Sequence, residues 1–241
     1  MKSLVIDIGN TRMKTGVFFE NKLLQYDEIP WEQEDKIIDI VIEYGISKIL
    51  LSNVSLHTPK VLNQLKTEIQ ILFLDKDTHL PFINNYKSKD TLGSDRKALV
   101  AGASHFYEAR NCLIIDAGTC ITYDLLTDKG EYLGGNISPG LQMRLQAMNH
   151  FTGKLPLPVW NVPDEIMGSD TEHCLLSGAF YGLLGEIQYF ISHYEKEFKN
   201  LKVLLTGGDA SILAKPIKKS IFVHEHLLLY GLNKILIEHV K

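Results

Sequence analysis

The sequence predicts an α/β fold in which two similar halves face each other across a cleft. An apolar strand followed by an acidic turn and a second strand occurs at Asp7–Thr11 and again at Asp116–Cys120. Around each of these hairpins the hydrophobic pattern has the order β-β-β-α-β-α-β-α. A chain of 241 residues, 45% of them hydrophobic, is long enough for one large domain or two small ones.

The first half begins with an apolar strand that ends at Gly9, where the chain turns back into a hairpin. A run of apolar residues with helical spacing stops at Gly45. Thr58 and Pro59 are typical of a helix start. The predicted elements are strands Leu4–Ile8, Met13–Phe19 and Leu23–Ile29, helix Trp31–Tyr44, strand Lys48–Leu51, helix Pro59–Thr67, strand Ile69–Leu74 and helix Arg96–Tyr107.

The second half repeats this order around its own hairpin. Its closing segment has the apolar spacing of a helix, and a strand precedes the glycine pair Gly207–Gly208. The predicted elements are strands Cys112–Ile115, Thr119–Leu126 and Glu131–Ile137, helices Gly140–Asn149 and Thr171–Tyr194, strand Leu201–Leu205, helix Ala210–Ala214, strand Ser220–Val223 and helix Leu227–Val240.

Composition and charge exclude several classes of protein. The net charge is −4 and no long basic run occurs, which argues against nucleic-acid binding. The three cysteines have neither zinc-site nor CxxC spacing, and their odd number argues against a disulfide framework. The sequence has neither a signal peptide of the usual build nor an apolar run of membrane-spanning length. We therefore expect a cytoplasmic protein without membrane or nucleic-acid partners.

The hairpin Asp7–Lys14 has the composition of a phosphate-binding loop. Gly9 lets the backbone approach an anion, while Asn10 and Thr11 add hydrogen-bond donors. Lys14 adds a cation, and Asp7 at the strand end suits hydrated Mg²⁺. Either hairpin alone is equally well explained as a structural turn. Two of them favour opposed phosphate loops around a nucleoside triphosphate, as in the superfamily of actin, hexokinase and the heat-shock ATPases.

Three further motifs are candidates for binding or chemistry. In Leu92–Arg96, Asp95 could accept a substrate hydroxyl proton and Arg96 could bind a carboxylate or phosphoryl oxygen. The alternative is that Ser94 or Asp95 only caps the following helix. Thr206–Asp209 could approach a flat ring or a phosphate, or be a tight turn. Gly134–Gly140 predicts a close backbone approach, either to a ligand or to another subunit.

Taken together, these motifs resemble the type III pantothenate kinases over nearly the whole chain, from Asp7 to Asp209. The resemblance implies an actin-like homodimer that phosphorylates the primary hydroxyl of pantothenate with Mg-ATP, the first step towards coenzyme A. It also implies an N-terminal half, 1–110, with the first phosphate loop and the substrate loop. The C-terminal half, 111–241, then carries the second phosphate loop and an adenosine motif.

The resemblance also assigns roles to single residues. Asp95 corresponds to the general base, and Asp116 to the ligand of a monovalent cation, K⁺ or NH₄⁺. Thr171 corresponds to a substrate contact reached from the dimer partner. The positions that correspond to ATP contacts are Asp7, Ile8, Gly9, Asn10, Thr11, Arg12, Met13, Lys14 and Thr119. The other positions that correspond to substrate contacts are Tyr86, Gly93, Ser94, Asp95 and Arg96.

Three other functions remain open at this point. Relatives of the family include accessory factors for transcription, but a regulator has no need of Asp95, Asp116 and both phosphate loops. A kinase of the same superfamily could act on a sugar or on acetate, which a panel of substrates would decide. An ATPase of the heat-shock type is disfavoured because the chain is too short to include a substrate-binding domain.

Overall fold

The computed structural model describes residues 2–9, 12–55, 58–65 and 69–239. The chain divides into two compact units. The first comprises Met1–Ala109, Lys129–Leu133 and His226–Lys241, and the second comprises Arg110–Asp128 and Gly134–Glu225. The chain therefore passes from the first unit to the second and back twice.

The first unit is built on a five-stranded sheet with the order β3-β2-β1-β4-β5. β1 is antiparallel to β2 and parallel to β4. All apolar residues of β1 are fully buried, as expected for a central strand covered on both faces. The strands are β1 (Lys2–Ile8), β2 (Arg12–Phe19), β3 (Lys22–Pro30), β4 (Lys48–Asn53), β5 (Gln70–Phe73) and a short outlying β6 (Ile83–Asn84).

Three helices of the first unit precede residue 110: α1 (Lys36–Tyr44), α2 (Val61–Leu65) and α3 (Ser94–Phe106). α1 ends at Gly45, whose φ of 59° confirms the predicted glycine stop. The predicted single helix Trp31–Tyr44 was too long, because Trp31–Gln33 forms a separate 3₁₀ turn after Pro30. The predicted helix Pro59–Thr67 is described only in part, since residues 66 to 68 lie outside the described segments.

The second unit repeats the strand order of the first. Its strands are β7 (Cys112–Ala117), β8 (Cys120–Leu126), β9 (Glu131–Pro139), β10 (Lys202–Thr206) and β11 (Ile221–Val223), in the order β11-β10-β7-β8-β9. β7 is antiparallel to β8 and parallel to β10, as β1 is to β2 and β4. The predicted duplication is therefore confirmed. The first residues of β9 belong to the first unit, where they pair with β6.

The helices of the second unit are α4 (Leu141–Phe151), α5 (Thr171–Glu197) and α6 (Ala210–Ala214). By length and composition alone, α5 could span a membrane, but half of its most apolar window is buried inside the protein. Leu183, Ile187 and Ile191 of α5 are fully buried in one cluster with Tyr123 of β8. This burial is that of a core helix.

The closing helix α7 (Leu227–His239) returns to the first unit. Its residues Leu232 and Ile235 pack with Val5, Phe18 and Leu50, on the opposite face of the sheet from the α1 and α2 cluster. α7 lies so close to α3 that a Cβ on Gly231 would be 1.7 Å from the carbonyl oxygen of Ala98. The sheet is thus covered on both faces. The polar residues Asp7 and Ser52 lie together near the carboxyl-terminal ends of β1 and β4.

Candidate active site

The first hairpin turns between Gly9 and Arg12, as the sequence predicts. The Gly9 amide donates to the carbonyl oxygen of Arg12 at 3.1 Å, which closes the turn. Ile8 and Met13 are fully buried on either side, so they hold the loop rather than present side chains to a ligand. Arg12 forms an ion pair with Glu28 of β3. Asn10 and Thr11, both predicted ATP contacts, lie outside the described residues.

Asp7 is a buried carboxylate at the end of β1, with 8% of its surface exposed. Burial raises its pKa to about 6; the nearby Asp95 acts in the same direction, while a hydrogen bond from Ser52 and the charge of Lys14 oppose the rise. Its Oδ1 has no hydrogen-bond partner among the described residues. Lys14 and Ser52 flank it in the sheet register. A carboxylate oxygen held in this way fits the hydration shell of a divalent cation.

The start of α3 is tied to the end of β4 beside Asp7. The hydroxyl oxygens of Ser94 and Ser52 are 3.0 Å apart, and Ser94 donates to the carbonyl oxygen of Asn53 at 3.4 Å. Asp95 follows in the first turn of α3, where its Oδ1 accepts from the Arg96 amide at 2.8 Å. Asp95 and Asp7 are close enough for their charges to interact.

The structure does not match the alternative in which Ser94 or Asp95 only caps a helix that starts at Arg96. α3 begins at Ser94, Gly93 occupies the N-cap position, and no side chain makes the capping hydrogen bond. A Cβ at this position would lie 2.4 Å from Oδ1 of Asp95, so a larger residue there would displace the Asp95 carboxylate. The Asp95 carboxylate therefore lies back over Gly93. Neither Ser94 nor Asp95 occupies the N-cap position.

An aromatic stack lies beside Arg96 in the same unit. The guanidinium carbon of Arg96 is 5.5 Å from the centre of the Tyr86 ring. Tyr86 in turn stacks on Tyr132, with ring centres 6.0 Å apart and planes inclined by 26°. Tyr132 is fully buried, and its carbonyl oxygen accepts from the Asn85 amide at 3.0 Å. The predicted substrate residues Tyr86 and Arg96 are thus brought together on a rigid support that sequence reasoning missed.

The second hairpin places Asp116 at the end of β7. In the sheet register Asp116 lies between Thr206 of β10 and Thr122 of β8, so three oxygen-bearing side chains share one face of the sheet. The Thr122 hydroxyl is buried without a hydrogen-bond partner among the described residues. Carboxylate and hydroxyl oxygens are suitable ligands for a hard cation. Nowhere in the described part of the chain do three or more His, Cys, Asp or Glu side chains cluster as a metal site.

Glycines bring three backbone segments together behind Asp116. Gly207 has φ of 94°, and a Cβ there would be 2.4 Å from both the Ala117 carbonyl oxygen and Asp116 Oδ1. The Gly140 amide donates to the Thr119 carbonyl oxygen at 3.0 Å. A Cβ on Gly135 would lie 1.5 Å from the Tyr123 carbonyl oxygen. The close approach predicted for Gly134–Gly140 is therefore to the backbone of the chain itself.

The remaining predicted residues lie in the second unit. The Thr119 side chain is exposed at the tip of the second hairpin. Thr171 is the first residue of α5, after the N-cap Asp170, which accepts from the His173 amide at 2.9 Å. Thr171 lines an open depression of about 710 Å³ together with residues such as Val159 and Asn161. Burial raises the pKa of Asp209, which follows the glycine pair.

Known proteins match this chain over most of its length. The family model described as type III pantothenate kinase matches residues 3–193. The type III pantothenate kinase of Christiangramia forsetii is 43% identical over 236 residues, which cover 97% of each chain. A solved structure from Campylobacter jejuni, described as a Baf family transcriptional activator, is 25% identical with a TM-score of 0.64 and 98% of each chain covered.

A more distant likeness concerns the fold alone. The ROK family glucokinase of Streptomyces griseus has a TM-score of 0.53 at 11% identity, with 98% of this chain and 99% of the glucokinase covered. The predicted actin-like fold of the sugar kinases is thereby confirmed. With a family model that matches most of the chain and a relative 43% identical over nearly all of it, this chain belongs to the type III pantothenate kinase family.

Proposed function

We propose that Asp95 is the general base of this chain and that the first unit holds both the acceptor and the metal-binding carboxylate. The chain is an ATP-dependent phosphotransferase that converts pantothenate to its 4′-phosphate, the first step of coenzyme A biosynthesis. The observation that carries the proposal is the Ser52–Ser94 contact, which holds the first turn of α3, with Asp95, beside Asp7. Asp95 accepts the hydroxyl proton as the oxygen attacks the γ-phosphorus and ADP leaves.

The acceptor side is proposed to be the surface formed by Gly93–Arg96 and Tyr86. Pantothenate carries one carboxylate, and a guanidinium matches a carboxylate with two parallel hydrogen bonds. The stack of Tyr86 on the buried Tyr132 restricts the Arg96 side chain to one side of the ring. This support favours Arg96 as the group that fixes the acceptor so that its hydroxyl reaches Asp95.

The nucleotide side is proposed to comprise Asp7–Lys14 together with Thr119. Mg²⁺ bound with ATP neutralises charge on the phosphates during transfer. Asp7 would hold it through water, which the partnerless and buried Oδ1 supports. Lys14, next to Asp7 in the register, would face the same phosphates. Arg12 is the weakest member of the predicted set, since Glu28 already pairs with it.

A monovalent cation, K⁺ or NH₄⁺, is proposed at Asp116. The row Thr206–Asp116–Thr122 supplies one carboxylate and two hydroxyl oxygens on one face of the sheet. A weakly hydrated cation there would offset phosphate charge in addition to Lys14. The buried Thr122 hydroxyl, partnerless among the described residues, supports a ligand at this place.

A homodimer in the cytoplasm is proposed as the working state. Large apolar side chains are strongly exposed in the second unit, among them Phe151 at 82%, Val159 at 88% and Met167 at 82%. Exposed apolar surface of this kind is typical of protein–protein contacts. Thr171 lies beside Val159 in the same depression, which supports its proposed role as a contact to the partner's substrate.

The decisive assay is phosphorylation of pantothenate with Mg-ATP by the wild type and by Asp95→Asn, in K⁺ buffer and in Na⁺ buffer. We expect kcat of the variant to fall about 100- to 10,000-fold, with ATP binding retained, because a positioned base contributes on that order. Asp90→Asn, an exposed neighbouring acid, is the control. Undiminished turnover in Asp95→Asn would remove Asp95 from the role of base. Turnover equal in K⁺ and Na⁺ would refute the cation at Asp116.

A regulatory role is the second candidate, and one observation favours it. The structural relative from Campylobacter jejuni is described as a transcriptional activator. The same assay separates the two functions. Absence of turnover with intact ATP binding would favour the regulator or a different acceptor, and a panel of hydroxyl acceptors would then distinguish these.

A further inference from the structure

Ser52 is a buried polar residue that belongs to none of the sequence motifs. It lies near the end of β4, is completely buried, and pairs with Asp7 in the register of β1 and β4. Because paired residues of adjacent strands point to the same face, its hydroxyl lies beside the Asp7 carboxylate, with which it forms a hydrogen bond. On its other side it contacts the Ser94 hydroxyl at 3.0 Å.

We propose that Ser52 is a positioning residue that fixes the Asp7 carboxylate and the first turn of α3, with Asp95, relative to each other. This inference rests on the proposed function, in which Asp7 holds Mg²⁺ through water and Asp95 is the base. Ser52 itself touches neither substrate.

The chemistry of a hydroxyl suits this task. It has one hydrogen to donate and two lone pairs that accept, so it can serve a carboxylate on one side and a second hydroxyl on the other. Ser94 has one hydrogen, so it donates either to the Ser52 oxygen or to the carbonyl oxygen of Asn53, the neighbour of Ser52. The network therefore joins the ends of β1 and β4 to the start of α3 through groups that are all buried or partly buried.

Loss of Ser52 would remove the contact that links Asp7 to the start of α3. Asp7 and Asp95 repel each other when both are charged, which is visible in the effect of Asp95 on the Asp7 pKa. Loss of the hydroxyl would remove a donor from a carboxylate whose other oxygen already lacks a partner among the described residues. A displacement of about 1 Å between a base and a metal-bound phosphate is enough to slow transfer about 100-fold.

The test compares Ser52→Ala, Ser52→Cys and Ser52→Thr with Ser47→Ala. Ser47 lies just before the opposite end of β4, and its hydroxyl is buried with no hydrogen-bond partner in the described segments. Ser47→Ala is therefore a matched control that leaves activity unchanged. Cys fills the serine site but is a weak donor, so it separates lost hydrogen bonding from lost packing.

We expect kcat of Ser52→Ala and Ser52→Cys to fall about 10- to 100-fold, and the Mg²⁺ concentration for half-maximal rate to rise. KM for pantothenate should change less than about twofold, because binding of the acceptor is not the affected step. Ser52→Thr, which keeps the hydroxyl, should recover most of the rate. A loss confined to thermal stability, with kcat and Mg²⁺ dependence unchanged in Ser52→Cys, would overturn the proposal.

The double variant Ser52→Cys/Asp95→Asn tests the role of Ser52 separately from the role of Asp95 as the base. If Ser52 acts in part through Asp95, Ser52→Cys should reduce the residual rate of Asp95→Asn by a smaller factor than it reduces the rate of the wild type. Equal additional loss in both backgrounds would overturn the link between Ser52 and Asp95. Full activity of Asp95→Asn would instead refute the base itself, whatever Ser52 does.

Discussion

At the scale of single residues, Asp7 is a buried carboxyl that costs stability when it is ionised. A carboxyl that is buried near a second carboxylate prefers to be neutral, and its pKa accordingly rises to about 6 from 3.8. A metal-binding role needs the ionised form at neutral pH. At neutral pH the folded protein therefore carries a negative charge at Asp7 that its surroundings disfavour. Binding of the metal with ATP would compensate this charge.

Asp7→Asn should for this reason stabilise the protein near neutral pH while it impairs catalysis. A folded-state pKa above the unfolded value means that the free energy of unfolding is highest below about pH 4 and declines as pH rises to about 6. The variant lacks that decline, so it should gain about 1–3 kcal/mol over the wild type at about pH 7 and nothing at about pH 4. Urea denaturation of both proteins at the two pH values measures this.

The same difference in stability at both pH values would contradict the burial argument. It would mean that the gain comes from side-chain packing and not from the charge of Asp7. Asp90→Asn, which changes an exposed acid, should show no comparable gain at either pH.

At the scale of elements, the contact between α3 and α7 depends on two glycines. A Cβ on Gly231 would lie 1.7 Å from the Ala98 carbonyl oxygen, and one on Gly102 would lie 2.3 Å from that of Leu227. Each helix thus presents a bare backbone to the other. Since Asp95 is in the first turn of α3, this contact also sets where the proposed base stands.

Gly231→Ala should destabilise the first unit by about 2–4 kcal/mol, because backbone atoms cannot move aside as a flexible side chain can. Gly182→Ala in α5 is the matched control: nothing lies within 4 Å of its Cβ, so it should be neutral or stabilise by up to about 1 kcal/mol. Thermal denaturation of the two variants provides the comparison. Equal stability of both would show that α3 and α7 are not packed as closely as described.

The sequence predicted elements best where the local pattern is strong. The paired strands of each hairpin and the helix stop at Gly45 were predicted correctly, because apolar periodicity and left-handed glycine are local properties. Ser52 and Tyr132 were missed. Neither residue stands out within its own strand. The pairing of β1 with β4 brings Ser52 to Asp7, and the pairing of β6 with β9 brings Tyr132 to Tyr86. Which strands pair depends on the tertiary structure and not on the local sequence.

At the scale of the whole molecule, the two similar units have different proposed functions. The first unit holds the proposed acceptor and metal groups, while the most exposed large apolar side chains, Phe151, Val159 and Met167, and the proposed cation row belong to the second. Sequence reasoning recognised the duplication but could not foresee that Lys129–Leu133 and α7 return to the first unit. These assignments depend on long-range packing, which leaves no local pattern.

The proposed dimer gives a test at this scale. Wild type should sediment at twice the mass of the chain, and Val159→Glu should shift it towards the monomer, because a charge would replace an 88% exposed apolar side chain in the interface. Ile42→Glu in α1, exposed at 73% in the first unit, is the control and should leave the dimer intact. A wild-type monomer at working concentration would refute the dimer.

The return of α7 to the first sheet also has a consequence for biosynthesis. Val5, Phe18 and Leu50 leave the ribosome early, but the helix that covers them, with Leu232 and Ile235, is made only after the whole second unit. Domains generally fold in the order in which they are synthesised, and uncovered apolar surface invites aggregation. The nascent first sheet is therefore expected to keep one face open until Leu227–His239 has been synthesised.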